Sequence, residues 1–521
     1  MDDDDVDLRT PDEAQEDARR KYEALIATLA HIPERRFLTA VWAVRGVQSD
    51  YAESAKNRLV ELPPEAITKE FATDHSIHPW ELETLINERL SIKISALFQT
   101  HAPERWPQIV ALVNLVRSIE NDEYLVFNDP DDVLDHIFSI GNRQFAWQQG
   151  FGTKQQIFRN IFVYGQGKCA SRFCEKNEIT INEFTKACFV FYAQLQSRPD
   201  IIRNTDLTSV DISSHCREAT LQIISRHISK LKIIAGERRG HVGEMAYKPS
   251  VLRQFPLIGV TARSHRLVAP LPELLLERMT VGLFYDVIDG GGAIREEIGK
   301  RFEEYVKMIL SYFLPEVTVS RETKYMTKRG QVKSPDLLLS FERDAIDVVL
   351  ECKALRLPVT SRFGVFDKED RGYRDMIKGV KQIWRYILDT RLNRTGAELS
   401  HSIIGALVTL DSWFVAAPTR QEKVLATARD EFTRENDDWQ EDDLIDISFV
   451  YIPELERLLA FGDSKVVLNT FRRTADDRKR GFSFDKAQEE GELKEENFQK
   501  FPFDEMLQNL LPWWEQVITA R

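Results

Sequence analysis

"DAIDVVLECKALR" (344–356) reads as a strand, yet its inner run "IDVVLECKAL" carries one Asp, one Glu and one Lys among apolar and β-branched residues. Burying such charges is costly unless they are paired or hold a metal. Side chains along a strand alternate faces, so Asp347, Val349, Glu351 and Lys353 share one face; Val348, Leu350 and Cys352 share the other, the expected core side. One strand earlier, "SPDLLLSF" (334–341) opens with Pro335-Asp336. If the two runs are antiparallel neighbours joined through "SFERDA", the start of one lies beside the end of the other. Asp336 then faces Glu351, with the Lys353 ammonium alongside.

Two converging carboxylates repel unless something neutralises them. A hard divalent cation does so; Mg²⁺ is usually held by one or two carboxylates plus substrate phosphate oxygens. Such an ion polarises a phosphodiester and lowers the pKa of a bound water. Lys353 is placed to position that water or to offset charge building on the phosphate. Simpler readings compete: Asp336 as a turn cap after Pro335, and Glu351–Lys353 as an exposed ion pair of little energetic weight.

The neighbouring segments frame this strand as an α/β unit. "VIDGGGAIREE" (287–297) is a connector, after which come a helix "IREEIGKRFEEYVKMILSYFL", strand-like runs "EVTVSRETKYM", "SPDLLLSFE" and "IDVVLECKAL", a helix "YRDMIKGVKQIWRYILDTRL" and a strand "HSIIGALVTLDSWFV". That order predicts a central mixed sheet with helices. The run "LIDISFVYIPELERLLAF" adds an edge strand and a helix. Upstream, apolar residues recur at helical spacing in "ARRKYEALIATLAHI" and "SHCREATLQIISRHISKLKII", predicting a mainly helical half.

These elements resemble the PD-(D/E)XK nuclease superfamily, with its restriction-endonuclease-like fold, over roughly residues 290–420, about a quarter of the chain. Pro335-Asp336 followed by Glu351-Cys352-Lys353 is similar to the signature. "GKRFEEYV" (299–306) resembles the Gly-x-x-Phe-Glu helix that opens many such domains, and "KQIWRY" (381–386) resembles the Gln-x-x-x-Tyr element of RecB-like members. The resemblance implies that Asp336, Glu351 and the backbone carbonyl of Cys352 bind Mg²⁺, with Mn²⁺ able to substitute. It implies Glu303 as a further metal or water ligand, with Glu296, Glu297 and Glu304 as rivals. Lys353 orients the attacking water, and Gln382 and Tyr386 support the site or the DNA.

Charge fits a nucleic-acid substrate locally rather than globally. The chain carries −13 overall, but residues 291–400 hold about 21 Lys and Arg against about 17 Asp and Glu. Arg321, Lys324, Lys328, Arg329 and Lys333 surround a hairpin turn, Arg356 and Arg362 follow Lys353, and Lys378, Lys381 and Arg385 lie on the next helix; together they form a candidate phosphate-tracking surface. Other chemistries lack their patterns. "YGQGKCAS" (164–171) misses the phosphate-loop spacing, so no nucleotide cofactor is expected. "DHSIHPWE" lacks a third zinc ligand. Five cysteines, sparse and odd in number, argue against a disulfide framework and read as thiols rather than a zinc site.

The expected organisation is therefore a disordered acidic tail (1–20), a helical regulatory or recognition domain (21–288), a nuclease-like domain (293–470), a charged flexible segment (471–500) and a C-terminal amphipathic helix (501–521). The acidic N-terminus is unlike a signal peptide and no run is long enough to span a bilayer, which predicts a cytoplasmic protein. A helical sensor attached to a nuclease resembles restriction and anti-phage defence proteins in architecture. Partners would be DNA, with a homo-oligomer or protein partner through the helical domain or the C-terminal helix. The competing functions are a silent nuclease-fold DNA-binding or scaffold subunit, and an RNA-directed nuclease.

Overall fold

The computed structural model describes residues 9–70, 73–92, 101–127, 143–237, 245, 250–261, 265–327, 330–341, 345–354, 356, 369, 371–411, 418–488, 493 and 495–515. The first half is mainly helical, with helices Pro11–Ala30, Glu34–Val47, Pro79–Ser91 and Trp106–Phe127. Further along come Lys154–Tyr164 (α1), Ile181–Leu195 and Ser214–Ile224. A small sheet that periodicity did not reveal lies among them, ordered Asp200–Ile202, Arg266–Val268, Leu257–Gly259, Ser225–His227.

The tail expected to be disordered is a helix from Pro11 onward. Thr10 accepts the Glu13 N–H while Glu13 accepts the Thr10 N–H, and Pro occupies the first turn. This reciprocal cap satisfies donors that would otherwise be orphaned, and acidic residues suit the positive end of the helix dipole. Arg9 adds ion pairs to Asp17 and Asp122. Residues 1–8 lie outside the described residues.

The triple-glycine connector leads into the α/β half. Gly291 takes φ 82°, a left-handed geometry suited to glycine, and caps Gly292–Phe313 (α2). Strands Thr318–Arg321 (β1), Lys324–Thr327 (β2), Gly330–Lys333 (β3), Leu337–Ser340 (β4) and Ile346–Lys353 (β5) follow. Then come helix Arg371–Arg391 (α3), strand Leu399–Thr409 (β6), helix Pro418–Glu435 (α4), strand Ile447–Tyr451 (β7) and helix Ile452–Phe461 (α5).

The main sheet is ordered β7-β6-β5-β4-β1. β1, β4 and β5 pair antiparallel, whereas β5, β6 and β7 are parallel, each parallel step crossing over through a helix, α3 or α4. It is a mixed sheet, as the element order predicts. The expected single strand 316–326 is two. Thr323 N–H donates to Ser334 Oγ and Ser334 N–H donates to the Thr323 carbonyl, both at 2.8 Å, which closes the base of a separate β2–β3 hairpin.

Both faces of the sheet are buried. Leu337, Leu339, Val348 and Leu350 pack in a cluster with Phe302, Tyr305 and Val306 of α2, and this cluster continues through Ile157, Phe158 and Ile161 of α1. The core is thus shared across the glycine connector. Leu338 and Val349 face the opposite cluster, with Val380 and Ile383 of α3 and Val424, Ala428 and Phe432 of α4. Burial on both sides explains why β5 reads as a nearly continuous apolar run.

Past the sheet, helix Ser464–Ala475 extends into the stretch expected to be flexible, and Phe484 beyond it is buried against Phe471 with centroids 4.8 Å apart. The C-terminal helix is short, Asp504–Leu510, and Trp513 docks on Phe189 at 5.5 Å. Residues 516–521 lie outside the described residues. Among the described residues no helix is long and apolar enough to cross a membrane.

Candidate active site

The ladder aligns Leu337 with Leu350, so Asp336, one residue outside the pair, stands opposite Glu351. The Cys352 N–H donates to Asp336 Oδ2 at 2.8 Å. Just before β4 begins, the Asp336 side chain thus takes the place of a backbone acceptor, which fixes its orientation. Sequence reasoning gave Cys352 a role through its carbonyl and missed this N–H, although it follows from where the Pro335-Asp336 start falls on the ladder. Asp347, the other acid of β5, is structural: its Oδ2 accepts the Phe341 N–H at the neighbouring turn.

Glu351 is 3% exposed. One carboxylate oxygen accepts from Lys353 Nζ at 2.7 Å, whereas Oε2 is buried without a hydrogen-bond partner. Lys353 Nζ also lies 3.3 Å from Gln382 Oε1 on α3. Gly379, one turn before Gln382, makes this approach possible. A Cβ there would lie 2.8 Å from Lys353 Cε and 2.6 Å from Leu407 Cδ2. Nothing in the sequence marks that glycine as different from one that merely weakens a helix.

Electrostatics single out Glu303 from its rivals. Glu296 pairs with Lys300, Glu304 with Arg301, and Glu297 accepts the Lys168 N–H. Burial and then the charges of Glu351 and Glu322 raise the Glu303 carboxyl above its ordinary range. Burial, Glu351 and Glu303 raise Asp336 in the same sense, against the Cys352 N–H and Lys353. For Lys353, burial disfavours the charge, but Glu351 and Asp336 outweigh it and hold the ammonium protonated. Burial, reinforced by Asp336 and Glu303, pushes the Cys352 thiol well up, so it is no nucleophile.

Three mutually repelling carboxyls with one ammonium leave the cluster near −2 when all are ionised. Among the described residues no group of three or more His, Cys, Asp or Glu side chains is placed to hold a metal ion. A Mg²⁺-type ion requires less than that, since substrate and water oxygens fill most of its positions. The orphaned Glu351 Oε2 and the raised Asp336 and Glu303 carboxyls fit such an ion.

The other expected residues differ in their surroundings. Tyr386 is buried edge-on to Tyr325 at 6.0 Å, and Tyr325 Oη donates to Asp389 at 3.0 Å. Tyr386 therefore ties the hairpin to α3 as a core residue. Arg356 is no surface cation: it is 7% exposed and donates to Tyr164 Oη at 2.9 Å. Lys381 is taken up by Glu431 and Glu435 of α4 at 2.8 and 2.6 Å. Arg385 donates to Asn436 at 3.5 Å. Arg321, Lys324 and Lys378 are exposed. Lys333 pairs with Glu322 at 2.7 Å, and its charge reaches Glu303 and Asp336, which places it at the rim. Lys328, Arg329 and Arg362 lie outside the described residues.

Cys169, Cys188, Cys216 and Cys352 are buried and Cys174 is exposed, all with free thiols. His78 caps a helix and stacks on Trp80 at 4.4 Å. No family model, curated protein or solved structure matches this chain.

Proposed function

We propose that this chain is a cytoplasmic metal-dependent nuclease of the PD-(D/E)XK type, with a restriction-endonuclease-like α/β half, that hydrolyses phosphodiester bonds of DNA. The observation that carries the reading is the meeting of Asp336 and Glu351 across β4 and β5, with Lys353 bonded to Glu351 and a buried Glu351 oxygen left over. The strand order and the α2 helix bearing Glu303 support it. Restriction or anti-phage defence is the setting that a large helical half attached to such a site suggests.

Asp336 and Glu351, opposed across the ladder, would hold the cation, with Glu303 reaching it through a water. When bound, it supplies charge neutralisation and a water of lowered pKa. The remaining work falls to the chain. Lys353 is kept protonated by Glu351 and held from the other side by Gln382, and the third N–H of its ammonium is left for a water or a phosphate oxygen. Lys333, Arg321, Lys324 and Lys378 offer contacts to phosphates.

The test is cleavage of supercoiled, linear and single-stranded DNA, and of RNA, in Mg²⁺, Mn²⁺ or EDTA. Wild type is run beside Lys353→Ala and Asp336→Ala. Metal-dependent cutting of DNA that is lost in both folded variants supports the reading. RNA cutting alone changes the substrate. If both variants cut like wild type, the site is wrong.

A further inference from the structure

Helix α1 belongs to the helical half, yet it grips the α/β half through two buried polar clasps. At its C-terminal end, Tyr164 Oη accepts from Arg356 Nε at 2.9 Å, and the same guanidinium lies 3.6 Å from the Asp411 carboxylate just past β6. Earlier on the helix, Arg159 donates to both oxygens of Glu456 on α5 at 2.6 Å. Tyr305 Oη of α2 donates to the same Glu456 at 2.6 Å. All six side chains are buried, and Tyr164 and Tyr305 have no exposed surface.

What these clasps hold matters more than their number. Arg356 lies three residues beyond Lys353, and Tyr305 lies two residues beyond Glu303 on one helix. Lys353 is the last residue of β5, so the ladder fixes it chiefly from upstream; its carbonyl accepts the Leu410 N–H at 3.1 Å. The next described polar anchor downstream is Arg356 itself. Buried ion pairs stabilise a fold little more than apolar packing of the same volume. What sets these two apart from the chain's other buried pairs is their place: both join α1 to the backbone beside a site residue.

We propose that α1 is a positioning element: Tyr164 through Arg356 sets the end of β5 that carries Lys353, and Arg159 through Glu456 and Tyr305 sets the stretch of α2 that carries Glu303. The inference rests on the nuclease reading for its catalytic meaning. It makes the helical half a working part of the site, so that a rearrangement around α1 changes turnover without touching substrate. Side chains misplaced by about an ångström commonly cost on the order of 10²-fold in rate.

The test uses the full chain with Tyr164→Phe, the triple variant Tyr164→Phe/Arg356→Met/Asp411→Asn, and Tyr305→Phe for the second clasp, which leaves the Arg159–Glu456 pair intact. Initial rates and hydrogen exchange are measured on each. Tyr164→Phe is expected to lower kcat by roughly tenfold or more with KM nearly unchanged, and to speed exchange in peptides covering Glu351–Arg356. Replacing every partner of the clasp by an uncharged group of similar shape restores stability at small cost. Recovery of the melting temperature with kcat still low marks positioning. Recovery of both together marks a structural clasp and overturns the proposal. Should Tyr164→Phe fail to fold, Tyr305→Phe carries the test, with exchange read over Phe302–Val306: a lowered kcat at an unchanged melting temperature marks positioning, and an unchanged kcat overturns the proposal. Should wild type cut nothing, the nuclease reading falls by itself and exchange still decides: unchanged protection beside the site residues overturns the coupling.

Discussion

In the metal-free protein, Asp336→Asn is expected to stabilise the fold while it destroys activity. The register puts Asp336 opposite Glu351, and directly opposed residues of an antiparallel pair have Cβ atoms about 5 Å apart. Two carboxylates at about 5 Å in an effective dielectric near 20 repel by roughly 3 kcal/mol. Asparagine keeps an oxygen to accept the Cys352 N–H, so the substitution removes the charge and retains the hydrogen bond. Lys353 stays bonded to Glu351 in either case. Allowing for relaxation and for partial protonation of the raised Asp336 carboxyl in wild type, the net gain is about 1–3 kcal/mol at about pH 9 in EDTA. Urea unfolding measures it as a higher midpoint at unchanged slope. Mg²⁺ then reverses the order: an ion at about 100 times its dissociation constant stabilises the wild type by roughly 2.7 kcal/mol, and the variant far less. A lower midpoint for Asp336→Asn in EDTA, or equal Mg²⁺ shifts for both proteins, would refute the carboxylate cluster.

Three other outcomes follow from single contacts. Gly379→Ala forces a Cβ against Lys353 and Leu407, so it should cost about 1–3 kcal/mol and lower kcat by displacing the ammonium; an unaltered melting temperature with full cleavage would remove Gly379 from the site. Glu454 is raised from 4.5 to about 7 chiefly by burial, with Asp485 adding to the effect. The native state therefore keeps a proton that the unfolded chain releases, and stability falls as pH climbs from about 4.5 to about 7, by roughly 3 kcal/mol. Glu454→Gln should flatten that fall and be the more stable protein at about pH 8, and a pH–stability curve parallel to wild type tells against it. Phe484→Ala should cost about 3–5 kcal/mol if the segment is truly anchored, and should open residues 476–488 to limited proteolysis; a neutral variant means that Phe484 pins nothing.

The α/β half was legible because local pattern and chemistry agreed there. The alternation in β5, the Pro335-Asp336 start of β4 and the helical spacing of α3 each marked an element, and the short β4–β5 connection gave the antiparallel pairing. Helix α4 went unread although Val424, Ala428 and Phe432 recur every four residues and all face the core. Its remainder is strongly charged, which masks the repeat, and in the fold Glu431 and Glu435 pair with Arg374 and Lys381 of α3. Those pairs are also why the basic surface was overestimated. A cation looks available in a sequence until its partner, some fifty residues away, is placed beside it. Arg356 is the extreme case, since Tyr164 stands 192 residues upstream.

The helical half resisted reading for a related reason. All thirteen residues of Pro79–Ser91 are buried, among them Glu81, Glu83, Glu88 and Arg89. Amphipathic patterning would send such residues to solvent. They are instead met by Arg117, Arg253, Tyr22 and Glu34, respectively. Buried acids are therefore common in this chain, and burial by itself does not mark a site. The balance of charge does. Glu81, Glu83 and Glu456 each face at least one guanidinium, and Asp443 has Arg391. At the end of β5, Asp336, Glu351 and Glu303 have Lys353 as the ammonium bonded within the cluster, and a Glu351 oxygen goes unmet. Glu81, Glu83, Glu456 and Asp443 are thus each balanced by a guanidinium, whereas this cluster sets three carboxyls against one bonded ammonium, the shortfall that the proposed cation would make good.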